Sequence, residues 1–403
     1  MSGKTIAEKI LSRHAHVNSC AGEIVICDVD FLMLHDAIGP LAIKAFEEMG
    51  GKRVFDQGKV VVILDHCTPA PNEKLSNIHA FLRSFVKEQK VFFAEGGEGV
   101  CHQVMIERGY THPGDLILGT DSHTCTYGAN GALATGVGAT DIGMAMLTGK
   151  IWLKVPHTTK ITFKGNLAPM CAAKDVILYT IGLLGADGCD YDSVEFYGDW
   201  LETAAFSDRL TMSNMVAEMG AKCGFTCCSS LGINADPDAE YKREITIDLS
   251  RIEPSVAKPH AVDNVRPVSD VAGVAIDQGV IGSCTNGRME DLRAAAAILK
   301  GKRIKDGCRL LILPASNLVL KQAAEEGVLS TLIDAGATIC ASGCGVCVGT
   351  HGGVPADNEV VLATTNRNFK GRMGNNTAFI YLASPQTVAA SMLTGKISDP
   401  RLL

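Results

Sequence analysis

The sequence lacks the features that mark a nucleic-acid-binding protein. Among its 403 residues, 37 Lys and Arg stand against 44 Asp and Glu, which gives a formal net charge of −7. The densest basic segment, at 300–309, is short, and we interpret it as a solvated surface loop. Because nucleic acids bind basic surfaces, and single strands also stack on aromatic side chains, we expect no nucleic-acid partner.

The chain also lacks a membrane-spanning run and a secretory leader. The uncharged stretch at 127–140 is rich in glycine and small residues, and it is shorter than the roughly 20 apolar residues of a transmembrane helix. No basic segment followed by an apolar run and a small-residue cleavage site opens the sequence. We therefore expect a cytoplasmic protein with no membrane partner.

Cysteine, by contrast, is abundant. The chain has 15 cysteines, and this odd number with irregular spacing favours a reduced compartment over a disulfide framework. Cys223, Cys227 and Cys228 form a local cluster without a convincing fourth metal ligand. We expect these three residues to be buried free thiols.

Short apolar runs alternate with helical patterns along most of the chain. Residues 59–65 read KVVVILD, a continuous β-branched run that predicts a buried strand, and 72–89 have the spacing of an amphipathic helix. Such alternation predicts an α/β layer architecture. It continues at 91–94, 101–108, 116–119, 160–164, 176–184, 193–197, 207–219, 274–281, 291–299, 309–313 and 360–364.

Chemically active residues follow several of these predicted strands. Asp65-His66, Asp121-Ser122-His123, Cys284 and Asn366-Arg367 each come directly after one. Ligands of parallel sheets gather beyond the carboxyl ends of the strands, so we expect these loops to share one cleft.

Three cysteines lie in glycine-containing motifs. Cys284 occurs in Gly-Ser-Cys-Thr-Asn, and Cys344 and Cys347 form a Cys-x-x-Cys pair in a glycine-dense loop. Structural zinc usually has four ligands, whereas these residues offer three thiolates. A cubane iron–sulfur cluster held by three thiolates has one iron open to act as a Lewis acid on a substrate oxygen. A redox pair, and a zinc site with His351 as its fourth ligand, remain alternatives.

Two histidines have nearby carboxylates. Asp65 precedes His66, and Asp121 lies close before His123. A carboxylate fixes the tautomer of an imidazole and supports its charged form, so both pairs are candidates for proton transfer, although a single buried histidine is more often structural. Ser122 is a nucleophile candidate without a Gly-x-Ser-x-Gly elbow.

Two further pairs complete the set of candidates. Arg367 and Arg372 lie in one polar segment, and two guanidinium forks near a cleft suit a dicarboxylate, with a surface salt-bridge loop as the alternative. Asn214 and Glu218 are spaced to share one face of a predicted helix.

Taken together, these segments resemble the aconitase family of hydro-lyases, and they occur in the family's order. Within the family the chain looks most like the large subunits that act, with a separate small subunit, on isopropylmalate, homoaconitate or dimethylmalate. The matching stretches are 65–67, 119–129, 214–218, 282–288, 343–347 and 365–374.

The resemblance implies a cofactor. Cys284, Cys344 and Cys347 would hold one [4Fe–4S] cluster per chain, with one iron not ligated by cysteine. The surroundings of the cluster would include three asparagines, namely Asn214, Asn286 and Asn366.

The resemblance also implies roles in the dehydration of a small hydroxy diacid. Asp65 and His66 would help to protonate the departing hydroxyl, and Asp121, His123 and Glu218 would contact bound oxygens. Substrate would be bound by His35, Ser122, Arg367 and Arg372. His35 departs from the family's usual glutamine, and this departure fits the isopropylmalate branch.

The implied architecture is three aconitase-type α/β/α domains around a cluster-bearing cleft, at 1–158, 159–268 and 269–403. The family's swivelling domain, which carries a Ser-Ser-Arg loop with the catalytic base, has no match here, since Leu231 follows Ser229-Ser230. A small partner subunit is therefore expected to supply that domain. Isomerisation of isopropylmalate in leucine biosynthesis is the preferred activity. A cluster-sensing RNA-binding regulator and a zinc-stabilised assembly protein are alternatives of a different class.

Overall fold

The computed structural model describes residues 3–403, and its first part is built around a parallel sheet. The elements are α1 (Ile6–Ala15), β1 (Ile24–Asp28), β2 (Phe31–His35), α2 (Gly39–Glu48), β3 (Val60–Ile63), α3 (Glu73–Gln89), β4 (Phe92–Ala94), α4 (Cys101–Glu107), β5 (Leu116–Gly119), β6 (Leu133–Gly136), α5 (Ala139–Thr148) and β7 (Lys150–Lys154). The parallel sheet has the order β4-β3-β2-β5-β6, while β1 and β7 form a separate antiparallel ribbon.

The second part contains a smaller parallel sheet in the order β10-β9-β8-β11. Its elements are β8 (Thr158–Lys164), α6 (Ala173–Leu184), β9 (Ser193–Tyr197), α7 (Asp199–Thr203), α8 (Phe206–Asn214), β10 (Cys223–Thr226) and β11 (Arg243–Asp248).

The third part contains a mixed sheet in the order β13-β12-β18-β17-β14-β15-β16, in which β12 pairs antiparallel with both of its neighbours. Its elements are β12 (Ser255–Ala257), β13 (Val265–Pro267), β14 (Gln278–Gly282), α9 (Ser283–Asn286), α10 (Met289–Leu299), β15 (Arg309–Leu313), α11 (Asn317–Glu325), α12 (Val328–Ala335), β16 (Thr338–Ile339), β17 (Val360–Ala363), β18 (Phe379–Leu382) and α13 (Pro385–Thr394).

Local chemistry explains why these elements form where they do. All four side chains of β3 are buried, as expected for a strand covered by helices on both faces of a parallel sheet. The following helix, α3, starts where the Asn72 side chain accepts a hydrogen bond from the N–H of Leu75, and it ends at Lys90 in the left-handed conformation. The predicted α/β alternation is therefore confirmed.

Three details differ from the sequence-based expectation. The strand predicted at 274–281 begins only at Gln278, because the backbone of residues 274–276 bonds instead to residues 395–397. The helix predicted at 207–219 is α-helical to Asn214 and then tightens into a 3₁₀ turn, Met215–Met219. Strands β12 and β13 fall inside the expected second domain, 159–268, yet they join the third sheet, since Ala257 pairs with Leu382.

The three sheets pack against one another through shared cores. Phe225 of β10 lies in the core of the first sheet. Ile161 and Phe196 of the second sheet share a core with Val280 and Val361 of the third. This packing brings the carboxyl ends of strands from different sheets into one cleft. In the chain from residue 3 onward, no helix has the length and apolar character needed to cross a bilayer.

Candidate active site

The three motif cysteines are buried in loops at the ends of strands. Cys284 lies in α9 directly after β14. Cys344 directly precedes a short 3₁₀ turn, Gly345–Val348, and Cys347 lies within that turn. The N–H of Cys344 donates to the carbonyl oxygen of Asp65 at 2.8 Å, so the Cys-x-x-Cys loop is attached to the loop after β3.

Polar side chains direct N–H groups at these sulfurs. The Asn214 and Asn366 amides lie 3.3 and 3.4 Å from Cys284 Sγ, and an Arg372 guanidinium nitrogen lies 3.5 Å from Cys347 Sγ. Such donors favour the thiolate. The pKa of Cys347 accordingly lies well below its usual value, because of a hydrogen bond from Cys344 and the nearby Arg372 charge.

The polar groups around the three cysteines fit a bound anionic cluster better than a site that contains protein atoms alone. Burial raises the pKa of Cys284 to about 11, and a metal would have to displace that proton. Ser283 Oγ, Ser342 Oγ and Arg372 Nε are buried beside the cysteine loops without a hydrogen-bond partner in the described chain. Unsatisfied polar atoms at this depth call for a partner that the protein itself does not provide.

Asp36 organises the loop after β3. Its carboxylate accepts hydrogen bonds from the backbone N–H groups of Asp65, His66 and Cys67 and from His79, at 2.8 to 3.2 Å. Burial alone would raise the pKa of Asp36, but the His79 hydrogen bond, the His66 charge and the backbone donors outweigh it and lower that pKa strongly.

His66 lies between two carboxylates. Its Nδ1 donates to Asp65 at 2.7 Å, and its Nε2 lies 3.3 Å from Asp121. Burial by itself would lower the pKa of His66, but the charges of Asp65 and Asp121 hold it well above its usual value. The imidazole is therefore in its positively charged form at neutral pH.

His102 is a further hydrogen-bond partner of Asp121, and the Tyr127 hydroxyl holds it in place. The Tyr127 hydroxyl donates to His102 Nδ1 at 3.0 Å, and His102 Nε2 donates to Asp121 at 2.9 Å. The pKa of Asp121 lies well below its usual range, since hydrogen bonds from His102, His123 and His66 outweigh the effect of burial. Asp121 is therefore an ionised acceptor shared by three histidines.

A second chain of contacts leads to the arginine loop. His123 Nε2 donates to Glu218 at 2.7 Å, and Arg367 Nε donates to the same carboxylate at 2.8 Å. A terminal nitrogen of Arg367 lies 3.5 Å from the exposed Ser122 hydroxyl. Asn214 and Glu218 thus face the same site, as their spacing predicts, although the α-helix ends between them.

His35 lies flat against His66, with ring centroids 3.9 Å apart. Burial and the adjacent His66 charge lower the pKa of His35 to about 4, so its ring is neutral at pH 7. Its Nδ1 accepts from the N–H of Ala37 at 3.2 Å, which leaves the proton on Nε2. His35 is therefore a neutral hydrogen-bond donor beside a charged one.

Two predicted residues have contacts that differ from the others. The Asn286 amide donates to Asp291 at 2.9 Å rather than to a cysteine. Both ring nitrogens of His351 are already engaged, Nδ1 with Thr350 and Nε2 with the Thr68 carbonyl, each at 2.9 Å. His351 would have to give up a hydrogen bond to ligate zinc.

An open cleft of about 430 Å³ lies beside these residues, and its lining includes Asp121, Ser122 and Arg367. Ligand atoms of His35, Asp36, Asp65 and His66 also lie within 4.8 Å of one another. Asp36 and Asp65 already accept backbone N–H groups and His66 is protonated, so we interpret this group as an acid–base network rather than a metal site.

Sequence reasoning missed two residues of this network. His102 carries no motif, and only its position at the start of a helix that follows a glycine-rich loop could have drawn attention to it. Asp36 follows β2 as Asp65 follows β3, and that parallel placement was the available signal.

Replacing Asp36 with asparagine should lower the free energy of unfolding by about 3 kcal/mol, since a buried charged acceptor of several N–H groups is lost. The folded-state pKa of Asp36 is depressed, so its contribution is present above the unfolded value near 3.9 and is lost as pH falls. Urea unfolding of the two chains at pH 7 and at about pH 3, which lies below the unfolded value, measures both effects. An unchanged unfolding midpoint at pH 7 would contradict the structural role, and Asp187→Asn is an exposed control.

Comparisons with known proteins give a consistent result. The model of the aconitase family (aconitate hydratase) matches residues 8–230 and 228–395. The chain is 47% identical over 99% of both chains to "3-isopropylmalate dehydratase large subunit 1" of Methanopyrus kandleri. It is 47% identical, over 94% of this chain and 100% of the relative, to "Probable methanogen homoaconitase large subunit" of Methanosarcina mazei. The holo-form of Thermococcus kodakaraensis aconitase X has a similar fold, with a TM-score of 0.52, 14% identity, and coverage of 90% of this chain and 89% of that one.

Proposed function

The chain belongs to the aconitase family, and we propose that it is the large, cluster-bearing subunit of a hydro-lyase that interconverts 3-isopropylmalate and 2-isopropylmalate. The observation that carries the proposal is that loops with three buried cysteines contact the loop with a protonated histidine held between two carboxylates. Full-length coverage of relatives named as large subunits supports both the substrate and the need for a partner chain.

The family implies a [4Fe–4S] cluster, and Cys284, Cys344 and Cys347 are the residues that would hold it. Three cysteines for four irons would leave one iron without a cysteine ligand. When bound, the cluster would supply Lewis-acid polarisation of a substrate oxygen. Asn214, Asn366 and Arg372 would stabilise the negative charge of the sulfurs through the N–H groups that they already direct at them.

Elimination of water needs an acid for the departing hydroxyl, and His66 fits that role. Its proton is retained at pH 7 by two carboxylates, and hydroxide becomes a good leaving group only when protonated. Asp65 and Asp121 then orient the imidazole, and His102 in turn fixes Asp121.

The remaining residues suit the binding of a diacid. Arg367 and Arg372 offer guanidinium groups to carboxylates, Ser122 offers a hydroxyl, and neutral His35 offers an N–H. Glu218 orients Arg367 and His123 at the same time, so it couples the binding residues to the network around Asp121.

We assign the base that removes the carbon-bound proton to a small subunit with a swivelling domain and a Ser/Arg loop. The Ser-Ser pair of this chain is exposed and engaged elsewhere, Ser229 with Glu202 and Ser230 with Arg209. Its surroundings therefore give no support for a catalytic serine in this segment. A cytoplasmic location and the absence of a nucleic-acid partner belong to the same proposal.

The proposal is tested by titrating a small subunit from the same genome into the anaerobically purified chain. We expect no turnover of 2-isopropylmalate by the chain alone, and turnover that saturates as the small subunit approaches stoichiometry. Full activity of the isolated chain would contradict the assignment of the base.

The homoaconitase reading is tested in the same assay, because a relative with that name is as similar in sequence as the isopropylmalate enzymes. Parallel assays with homocitrate and 2,3-dimethylmalate measure the preference as ratios of kcat/KM. A preference for either compound would replace isopropylmalate as the substrate and leave the hydro-lyase class intact.

A further inference from the structure

Lys174 is a fully buried lysine at the second position of α6. Its Nζ donates to the carbonyl oxygens of Thr364 and Thr365, at 2.7 Å each. Among the described residues, no carboxylate lies within ion-pair distance of this nitrogen. Burial lowers the pKa of Lys174 to about 7, against the opposing charges of Cys347 and Cys284.

The two carbonyls come immediately before the residues that face the cysteines and the substrate. Asn366 directs its amide at Cys284 Sγ, and Arg367 bonds Glu218. Thr364 also contacts the segment that leads to Cys284, since its hydroxyl oxygen accepts a hydrogen bond from the N–H of Gly282 at 2.9 Å. Lys174, in a helix of the second part, therefore holds a loop of the third part directly before the two site residues Asn366 and Arg367.

The same arrangement recurs at a second buried cation. Arg288 donates to the carbonyl oxygens of Cys284 and Thr285 at 2.7 and 2.8 Å, and to the side-chain oxygen of Gln103 at 3.0 Å. Each of two loops of the site is thus held by a buried basic side chain that bonds two consecutive carbonyls. A recurrence of this kind is hard to explain as chance packing, because burying an unpaired charge is costly.

We propose that Lys174 is a positioning residue, which sets Asn366 against the cysteine sulfurs and Arg367 against the substrate by holding the carbonyls that precede them. The inference rests on the proposed function, since it concerns the same cysteine site and the same diacid. A side chain without N–H groups would leave both buried carbonyl oxygens without this partner, so the two hydrogen bonds donated by Nζ are what the role requires.

The test compares Lys174→Met with wild type, and uses Lys160→Met, in strand β8 of the same part of the chain, as a matched control. Lys160 is partly exposed and pairs with Glu244, away from the cysteine loops. All three chains are purified anaerobically and assayed with the small subunit. The readouts are the electron paramagnetic resonance spectrum of the reduced cluster, KM and kcat, and the thermal unfolding midpoint.

We expect Lys174→Met to change the spectrum and to raise KM by about tenfold or more, because a displaced Arg367 weakens binding. Lys160→Met should match wild type in both. Lys174→Gln keeps an N–H donor on a shorter neutral side chain, and it should have an intermediate KM. It serves as the test variant if Lys174→Met does not fold.

Two outcomes would separate this inference from the proposed function. A lowered unfolding midpoint with an unchanged spectrum and unchanged KM would show a merely structural lysine and overturn the inference, while the hydro-lyase stands. A wild-type chain that binds no iron and shows no turnover would overturn the proposed function itself.

Discussion

Cys284→Ser should abolish both the iron content of the anaerobically purified chain and its turnover with the small subunit. Serine is a poor ligand for iron in a cubane, and the proposed cluster has three cysteine ligands, so the loss of one leaves too few ligands. The same result is expected for Cys344→Ser and Cys347→Ser. Iron and sulfide analysis, with the absorbance of the thiolate-to-iron band, measures the effect directly.

A matched control for these substitutions is Cys308→Ser. Cys308 lies before β15 with its sulfur 3.2 Å from the carbonyl oxygen of Ile276, remote in the fold from the three motif cysteines. This variant should retain iron and activity. Full clusters in all three motif variants, or zinc in the anaerobic wild-type chain, would contradict the assignment.

His66→Gln should lower kcat by about 10²- to 10⁴-fold, the usual range for loss of a positioned general acid. Glutamine has no proton to deliver near neutral pH, while its size keeps the space beside His35 filled. Binding groups such as Arg367 are not touched, so KM should change little. The exposed His112 provides the control, and His112→Gln should leave kcat unchanged.

The pH dependence distinguishes this role from simple damage to the site. The pKa of His66 is raised, so the acid form is complete at low pH and is lost as pH rises through that raised value. Wild-type kcat should therefore fall on the alkaline side, and the variant should lack that limb. An alkaline limb of the same position in His66→Gln would assign it to another group.

The sequence by itself was sufficient to predict the α/β alternation and the placement of the site loops. Residues 60–63 form a strand because four consecutive β-branched side chains can be buried on both faces of a sheet. The Cys-x-x-Cys pair and the Asp65-His66 pair were recognisable because their chemistry depends on neighbours in sequence.

Contacts between distant residues could not be predicted in the same way. His102 bonds Asp121 and Tyr127, and Lys174 bonds carbonyls nearly two hundred residues away, yet neither has a local pattern that indicates its partner. The place of β12 in the third sheet depends on a single antiparallel pairing with β18, which no periodicity reveals.

The amino-acid sequence alone determined which groups are present: three motif cysteines, two Asp-associated histidines and a pair of arginines, in loops that follow strands. The tertiary structure decided the protonation states of the histidines. His66 is charged and the adjacent His35 is neutral, although both are buried histidines near the carboxyl ends of strands, because two carboxylates from different loops flank only His66. Protonation depends on the distance between charges in a poorly solvated site, and that distance is set only when β3 and β5 pair with β2 in the folded first sheet.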